Sequence, residues 1–186
     1  MQSEWTQEIA RHYAETYGDH PSHPVVIDLA ELQPDDVVLD IGCGSGNVVR
    51  LAAAVVTEGT VTGVDPTPEM VRLAREHTNA PNVAFHRASA GALPADDDSV
   101  SVVLAVHSLH HWDDVGEGLD EVRRVLAPNG RLVIVFEEHY GTASGGLVAA
   151  MLSDMGFDDI EVSVHDLGDE EELQIVRAVW HQEDAS

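Results

Sequence analysis

Short, densely apolar runs alternate along this chain with longer stretches in which apolar residues recur every three or four positions. The runs from Val37 to Ile41, Thr60 to Val64 and Ser99 to Val106 are rich in β-branched residues, and these and the run from Asn82 to His86 are too short for stable helices. They predict buried strands. Helical periodicity falls between them, over about Ser45 to Val56, Pro68 to His77 (Met70, Leu73 and Ala74 on its inner face) and Val115 to Leu126. Thr67 before Pro68 supplies an N-cap with proline at the first helical position, and Asp113 and Asp114 cap the next helix. Further helices are expected over about Glu4 to Tyr17, with Trp5, Ile9, Tyr13 and Tyr17 at four-residue spacing, over about Pro24 to Leu32 after a loop from Gly18 to His23, and over about Leu147 to Met155, the last closed by Gly156. A Pro128-Asn129-Gly130 turn precedes a fifth strand, and Asp159 to His165 and Leu173 to Trp180 read as two final strands. Strands alternating with helices imply an α/β layering around a mostly parallel sheet.

The first strand runs into Gly42-Cys43-Gly44-Ser45-Gly46 and then a helix. Glycines at alternate positions let a ligand approach the backbone, and the helix that follows is expected to aim unpaired N–H groups at it. A dinucleotide site would read G-x-G-x-x-G, but here the third position of that pattern falls on Asn47. Asp40, two residues before Gly42, would repel a pyrophosphate and suits a ligand carrying an ammonium group. From these residues alone a dinucleotide, another polar small molecule and a ligand-free turn all remain open.

The segment D-I-G-C-G-S-G (residues 40–46) resembles the first motif of the class I methyltransferases that use S-adenosylmethionine. Four further segments match that family in order. Asp65 ends the second strand. Ala88-Ser89-Ala90-Gly91-Ala92-Leu93-Pro94 is similar to the adenine segment G-D-A-x-x-L-P, with Ser89 in place of the acid. Leu109-His110-His111 follows the fourth strand. Val125-Leu126-Ala127-Pro128-Asn129-Gly130 resembles the family's R-V-L-x-P-G-G, and the matches together cover about Pro34 to Phe136. The resemblance implies a Rossmann-like, doubly wound sheet of seven strands in the order 3-2-1-4-5-7-6, the last antiparallel, with helices on both faces. It implies S-adenosyl-L-methionine as cofactor and S-adenosyl-L-homocysteine as product. Asp40, Gly42 and Gly44 would hold the methionine end, Asp65 the ribose, and Pro66, Ser89 and Ala90 the adenine, with Cys43 and Val106 also at the cofactor. Residues 1–186 are expected to form one such domain, its N-terminal helices (about 1–33) lying over the cofactor as a lid. Tyr13 or Tyr17 would then face the sulfonium, where an aromatic ring favours a cation.

Composition narrows the acceptor. Asp and Glu total 34 against 9 basic residues, for a formal net charge of −25, and every basic residue is arginine. Acid spread along the whole chain, with no lysine, reads as a solvation strategy for concentrated salt, so a halophilic source is expected. The same charge disfavours a nucleic-acid substrate, which needs phosphate neutralisation. A small-molecule acceptor is the expectation. Cys43 excludes an internal disulfide and reads as a buried filler. No apolar run spans a bilayer and no signal peptide is visible, so a cytoplasmic protein is expected.

A general base, if the acceptor needs one, should project from the carboxyl ends of strands four and five. His107, His110, His111, Glu137, Glu138 and His139 are candidates, with His110 and Glu137 favoured. No recognised metal-ligand spacing is present, and no metal is expected. Many relatives carry a substrate lid after strand five. The connector from Phe136 to Gly146 leaves little room for one. The pocket is expected to be open or completed by a homodimer mate or partner subunit. A non-catalytic, cofactor-binding subunit is therefore the alternative to an enzyme.

Overall fold

A computed structural model describes residues 6–18, 20–137, 144–168 and 171–181, apart from the side chains of residues 15, 17 and 171. Seven strands form one sheet in the order β3-β2-β1-β4-β5-β7-β6. They are β1 (Val37–Ile41), β2 (Thr60–Asp65), β3 (Val83–Arg87), β4 (Val100–Val106), β5 (Leu126–Glu137), β6 (Asp158–Gly168) and β7 (Glu171–Trp180). The first five are parallel, and β7 inserts antiparallel between β5 and β6. The helices are α1 (Gln7–Tyr17), α2 (Ser22–Ala30), α3 (Asn47–Val55), α4 (Pro68–His77), α5 (Val115–Val125) and α6 (Gly145–Asp154).

The apolar runs are continuous because both sheet faces are covered. On β4, Val103 and Ala105 pack with Leu119 and Val122 of α5 and Leu152 of α6. Val102, Leu104 and Val106 point the other way, into a core with Val26 of α2, Val49 of α3 and Val71 of α4. A one-residue slip of β4 would exchange the two sets. Among the described residues, no helix is long and apolar enough to cross a membrane.

Local chemistry sets most boundaries. Thr67 and Pro68 open α4 as the sequence implies, and the Asp114 side chain accepts from the Glu117 N–H at 3.0 Å to cap α5. The first helix starts at Gln7, capped by Thr6, and Trp5 lies outside the described residues. The second starts at Ser22, two residues before the expected Pro24, and consumes part of the expected loop. The Pro-Asn-Gly segment does not stand apart from β5. It forms an irregularity within the strand, where the β4 pairing jumps from Val100↔Leu126 to Val102↔Arg131. Asn129 takes a φ of 65° there, which asparagine tolerates.

The few cations are placed with economy. Arg11 and Arg72 converge on the buried Glu69, joining α1 to α4. Arg131 reaches Asp36 at 2.7 Å, and Arg124 holds Glu121 and Asp97. Arg50, Arg75 and Arg87 donate to backbone carbonyls of Ser45, Phe85 and Pro66.

Candidate active site

The strand order reverses between β1 and β4, and in an open α/β sheet the crevice beyond the carboxyl ends at that point is where ligands bind. A cavity of about 770 Å³ lies there. That is within the range of about 300–1,000 Å³ usual for small-molecule sites. The expected cofactor residues Asp40, Gly42, Cys43, Gly44, Asp65, Pro66, Ser89, Ala90 and Val106 all line it. So do Ile9 and Tyr13 of α1, which explains their four-residue spacing. Tyr17 lies on α1, but its side chain is outside the description.

The glycine loop is held from behind. Gly42 and Cys43 donate to the Val64 carbonyl at 2.8 and 2.9 Å, and Gly46 donates to Cys43 O at 2.9 Å. Gly44 N–H donates to Asp65 Oδ2 at 3.0 Å. These amides therefore fasten the loop to β2 and to itself. Two glycines do different work. Gly42 sits at φ +76°, where an added Cβ would overlap Ser108, whose buried hydroxyl donates to Ile41 O at 2.6 Å. Gly44 sits at φ +52° with nothing within 4 Å of an added Cβ. Gly42→Ala should thus lose about 2–4 kcal/mol of stability in urea unfolding. Gly44→Ala should lose about 1–2 kcal/mol and act chiefly by filling the cavity, weakening ligand binding.

Two acids face the cavity floor. Asp40 is 2 % exposed, and its Oδ2 has no hydrogen-bond partner among the described residues. Burial, and secondly the charge of Asp65, pushes its carboxyl up to about 7. Asp65 is buried at the end of β2. Its Oδ1 accepts from Thr67 N–H at 2.8 Å while Oδ2 takes the Gly44 N–H. Burial raises its pKa, and those backbone donors partly offset the rise. The Cys43 thiol is pushed well up by burial and then by Asp40 and Asp65, so it stays protonated as a filler.

At the other end β4 and β5 deliver the candidate bases. His107 takes a φ of 50°, and burial followed by the neighbouring histidines pulls its pKa down to about 3. His110 and His111 sit on the helical turn Leu109–His111 with ring centroids 3.9 Å apart. Burial, then His111, brings His110 down to about 4. Burial also lowers His111, against the pull of Asp65. All three imidazoles are neutral near pH 7. Glu137 closes β5, with Oε1 at 3.8 Å from His107 Nδ1 and 3.8 Å from His20 Nε2. Glu138 and His139 lie outside the described residues. Sequence reasoning missed His20, Ser22 and Ser108. The first two lay in or beside an assumed loop, and Ser108 acts through contact with a strand 67 residues away.

The comparisons converge on one family. A methyltransferase-domain profile matches residues 39–134, just over half of the chain. The chain belongs to the class I S-adenosylmethionine-dependent methyltransferases. Membership brings the family cofactor, S-adenosylmethionine, with it. The chain is 36% identical over 119 residues to the uncharacterized methyltransferase YcgJ of Bacillus subtilis, covering 62% of this chain and 46% of that protein. It is 40% identical over 109 residues to the arsenite methyltransferase of Halobacterium salinarum, covering 56% of this chain and 28% of that one. It therefore spans less than half the length of these curated relatives. This methyltransferase also shares its fold with a chain of the complex between the Haloferax volcanii Trm112 methyltransferase activator and a methyltransferase. That match has a TM-score of 0.80 at 22% identity, over 95% of this chain and 97% of the other.

Proposed function

We propose that this methyltransferase transfers a methyl group from S-adenosylmethionine to a small-molecule acceptor seated between the glycine loop and the histidine-lined end of the cavity. The observation that carries it is the buried Asp40 oxygen without a hydrogen-bond partner among the described residues, beside Asp65 in one cavity. A buried carboxylate is costly unless a cation meets it, and an amino-acid ammonium is such a cation. Each Asp65 oxygen accepts one backbone N–H and keeps a lone pair for a ribose hydroxyl. The open space at Gly44 admits the ligand against the backbone. Pro66, Ser89 and Ala90 line the expected adenine end, and Tyr13 presents an aromatic ring from α1. That helix serves as the lid, anchored to α4 through Arg11 and Glu69.

When bound, the cofactor supplies an electrophilic methyl on a sulfonium, so the protein needs chiefly to position the acceptor and exclude water. His110 and Glu137 are the favoured residues to take a proton from a protonated acceptor. His110 is neutral and can accept one, although its low pKa makes it a weak base. Radiolabelled methyl transfer by the isolated chain in concentrated KCl, against thiol, amine, hydroxyl and arsenite acceptors, tests this function. A product that loses its label when the histidine-lined end is altered supports it. Absence of turnover with intact cofactor binding would instead favour a cofactor-binding subunit that works with a partner chain. The likeness to a chain from the Trm112 complex motivates that second possibility.

A further inference from the structure

At the acceptor end, three side chains from distant parts of the sequence converge. His20 Nε2 and His107 Nδ1 each stand 3.8 Å from Glu137 Oε1, beyond hydrogen-bond range. The ligand atoms of all three lie within 4.8 Å of each other. The opposite ring nitrogens are held from behind. His20 Nδ1 and His107 Nε2 lie 2.7 and 2.8 Å from the same hydroxyl, that of Ser22, a residue with no solvent exposure. The two rings meet edge-on, with centroids 4.9 Å apart. His107 is kept at φ 50°, a conformation that costs a non-glycine residue energy and persists where the surroundings impose it.

We propose that His20, His107 and Glu137 form a binding site for a divalent transition metal of the zinc class. Ligand atoms at about 2.0–2.1 Å in a tetrahedron around zinc lie about 3.4 Å from one another, so inward shifts of up to roughly half an ångström complete the site. Ser22 fills the supporting role that metal-bound histidines require. Its hydroxyl oxygen accepts from the N–H on the far side of both rings, which fixes the tautomer that leaves His20 Nε2 and His107 Nδ1 free to coordinate. The Ser22 backbone N–H, 3.3 Å from His20 Nδ1, favours the other tautomer in the metal-free protein, so metal uptake entails a proton shift on that ring. Two imidazoles and one carboxylate select zinc, cobalt or nickel over the magnesium and calcium that surface carboxylates collect. All three residues line the cavity, so the remaining coordination position opens toward it, where a thiol or hydroxyl could bind.

The test is titration of chelator-treated full-length protein with Co²⁺ in concentrated KCl containing excess Mg²⁺ to occupy surface carboxylates. One equivalent should bind with visible absorption of a low-coordinate site and be displaced by one equivalent of Zn²⁺. Glu137→Gln, His20→Gln and His107→Asn (asparagine tolerates the positive φ) should each weaken uptake by roughly 100-fold while the thermal transition is retained. X-ray absorption on the zinc-loaded wild type gives a result independent of variant folding. Two imidazole nitrogens and a carboxylate oxygen are expected. An all-oxygen shell, absence of saturable uptake, or uptake unchanged in the three variants would overturn the proposal.

Discussion

Asp65→Ala is expected to weaken S-adenosylmethionine binding by roughly 100- to 1,000-fold, or about 3–4 kcal/mol. The size follows from three losses at one carboxylate. The proposed contact to the ribose hydroxyls goes first. The anchor of the Gly44 N–H goes with it, releasing the loop on which the ligand would lie. The Thr67 N–H also loses its acceptor, at the point where α4 begins. Charge-assisted bonds to backbone donors are the stronger kind, so the structural share is substantial. Asp65→Asn should fall between, because an amide can accept from one of the two N–H groups while its own NH₂ opposes the other. Calorimetric titration of the three proteins with adenosylmethionine and adenosylhomocysteine checks the order. Equal affinity in wild type and Asp65→Ala would remove Asp65 from the cofactor site.

The second large effect has opposite signs for stability and binding. The Asp40 carboxyl rises from 3.8 to about 7 on folding because burial disfavours its charge. Between those values the folded chain holds a proton that the unfolded chain has released. Stability from this group is therefore full below about pH 4, falls as pH rises, and is lost above about pH 7, by an amount on the order of 4 kcal/mol. Asp40→Asn removes the penalty and should raise the thermal midpoint of the ligand-free protein at pH 8. The same substitution deletes the anion proposed to meet the cofactor ammonium, so affinity should fall by roughly 100-fold. In the wild type, a cation that binds only the ionised carboxylate should bind roughly eightfold more tightly at pH 7.5 than at pH 6. Thermal unfolding and titration at those pH values check both halves. A destabilised Asp40→Asn protein, or pH-independent binding, would show that Asp40 already has a cation or donor in place.

The parts legible in the sequence were those in which neighbours along the chain decide the outcome. The strand from Val37, the glycines that follow and the helix entered at Asn47 are one local unit, and Asp65 is placed by the strand that ends at it. Thr67 with Pro68, and Asp114, marked helix starts to the residue. The acceptor end was not legible because its contacts are long-range. Ser22 meets His107 across 85 residues, and nothing around either residue encodes the meeting. The loop assigned to residues 18–23 hid the fact that Ser22 opens a helix and is buried. The acceptors of the Gly42, Cys43 and Gly44 amides, Val64 O and the Asp65 carboxylate, lie on a different strand and are equally beyond a local pattern. Asn129 was recognised as a turn former, but only the β4–β5 pairing reveals an irregularity inside a strand.

The most direct measurement is calorimetric titration of the wild-type protein in concentrated KCl with S-adenosylmethionine, S-adenosylhomocysteine and NAD. Saturable one-to-one binding of the first two, with no binding of NAD, is the expected result. Binding of NAD alone, or of none of the three by a chain whose folding is verified by a cooperative thermal transition, would contradict the assignment of this cavity as a methyl-transfer site.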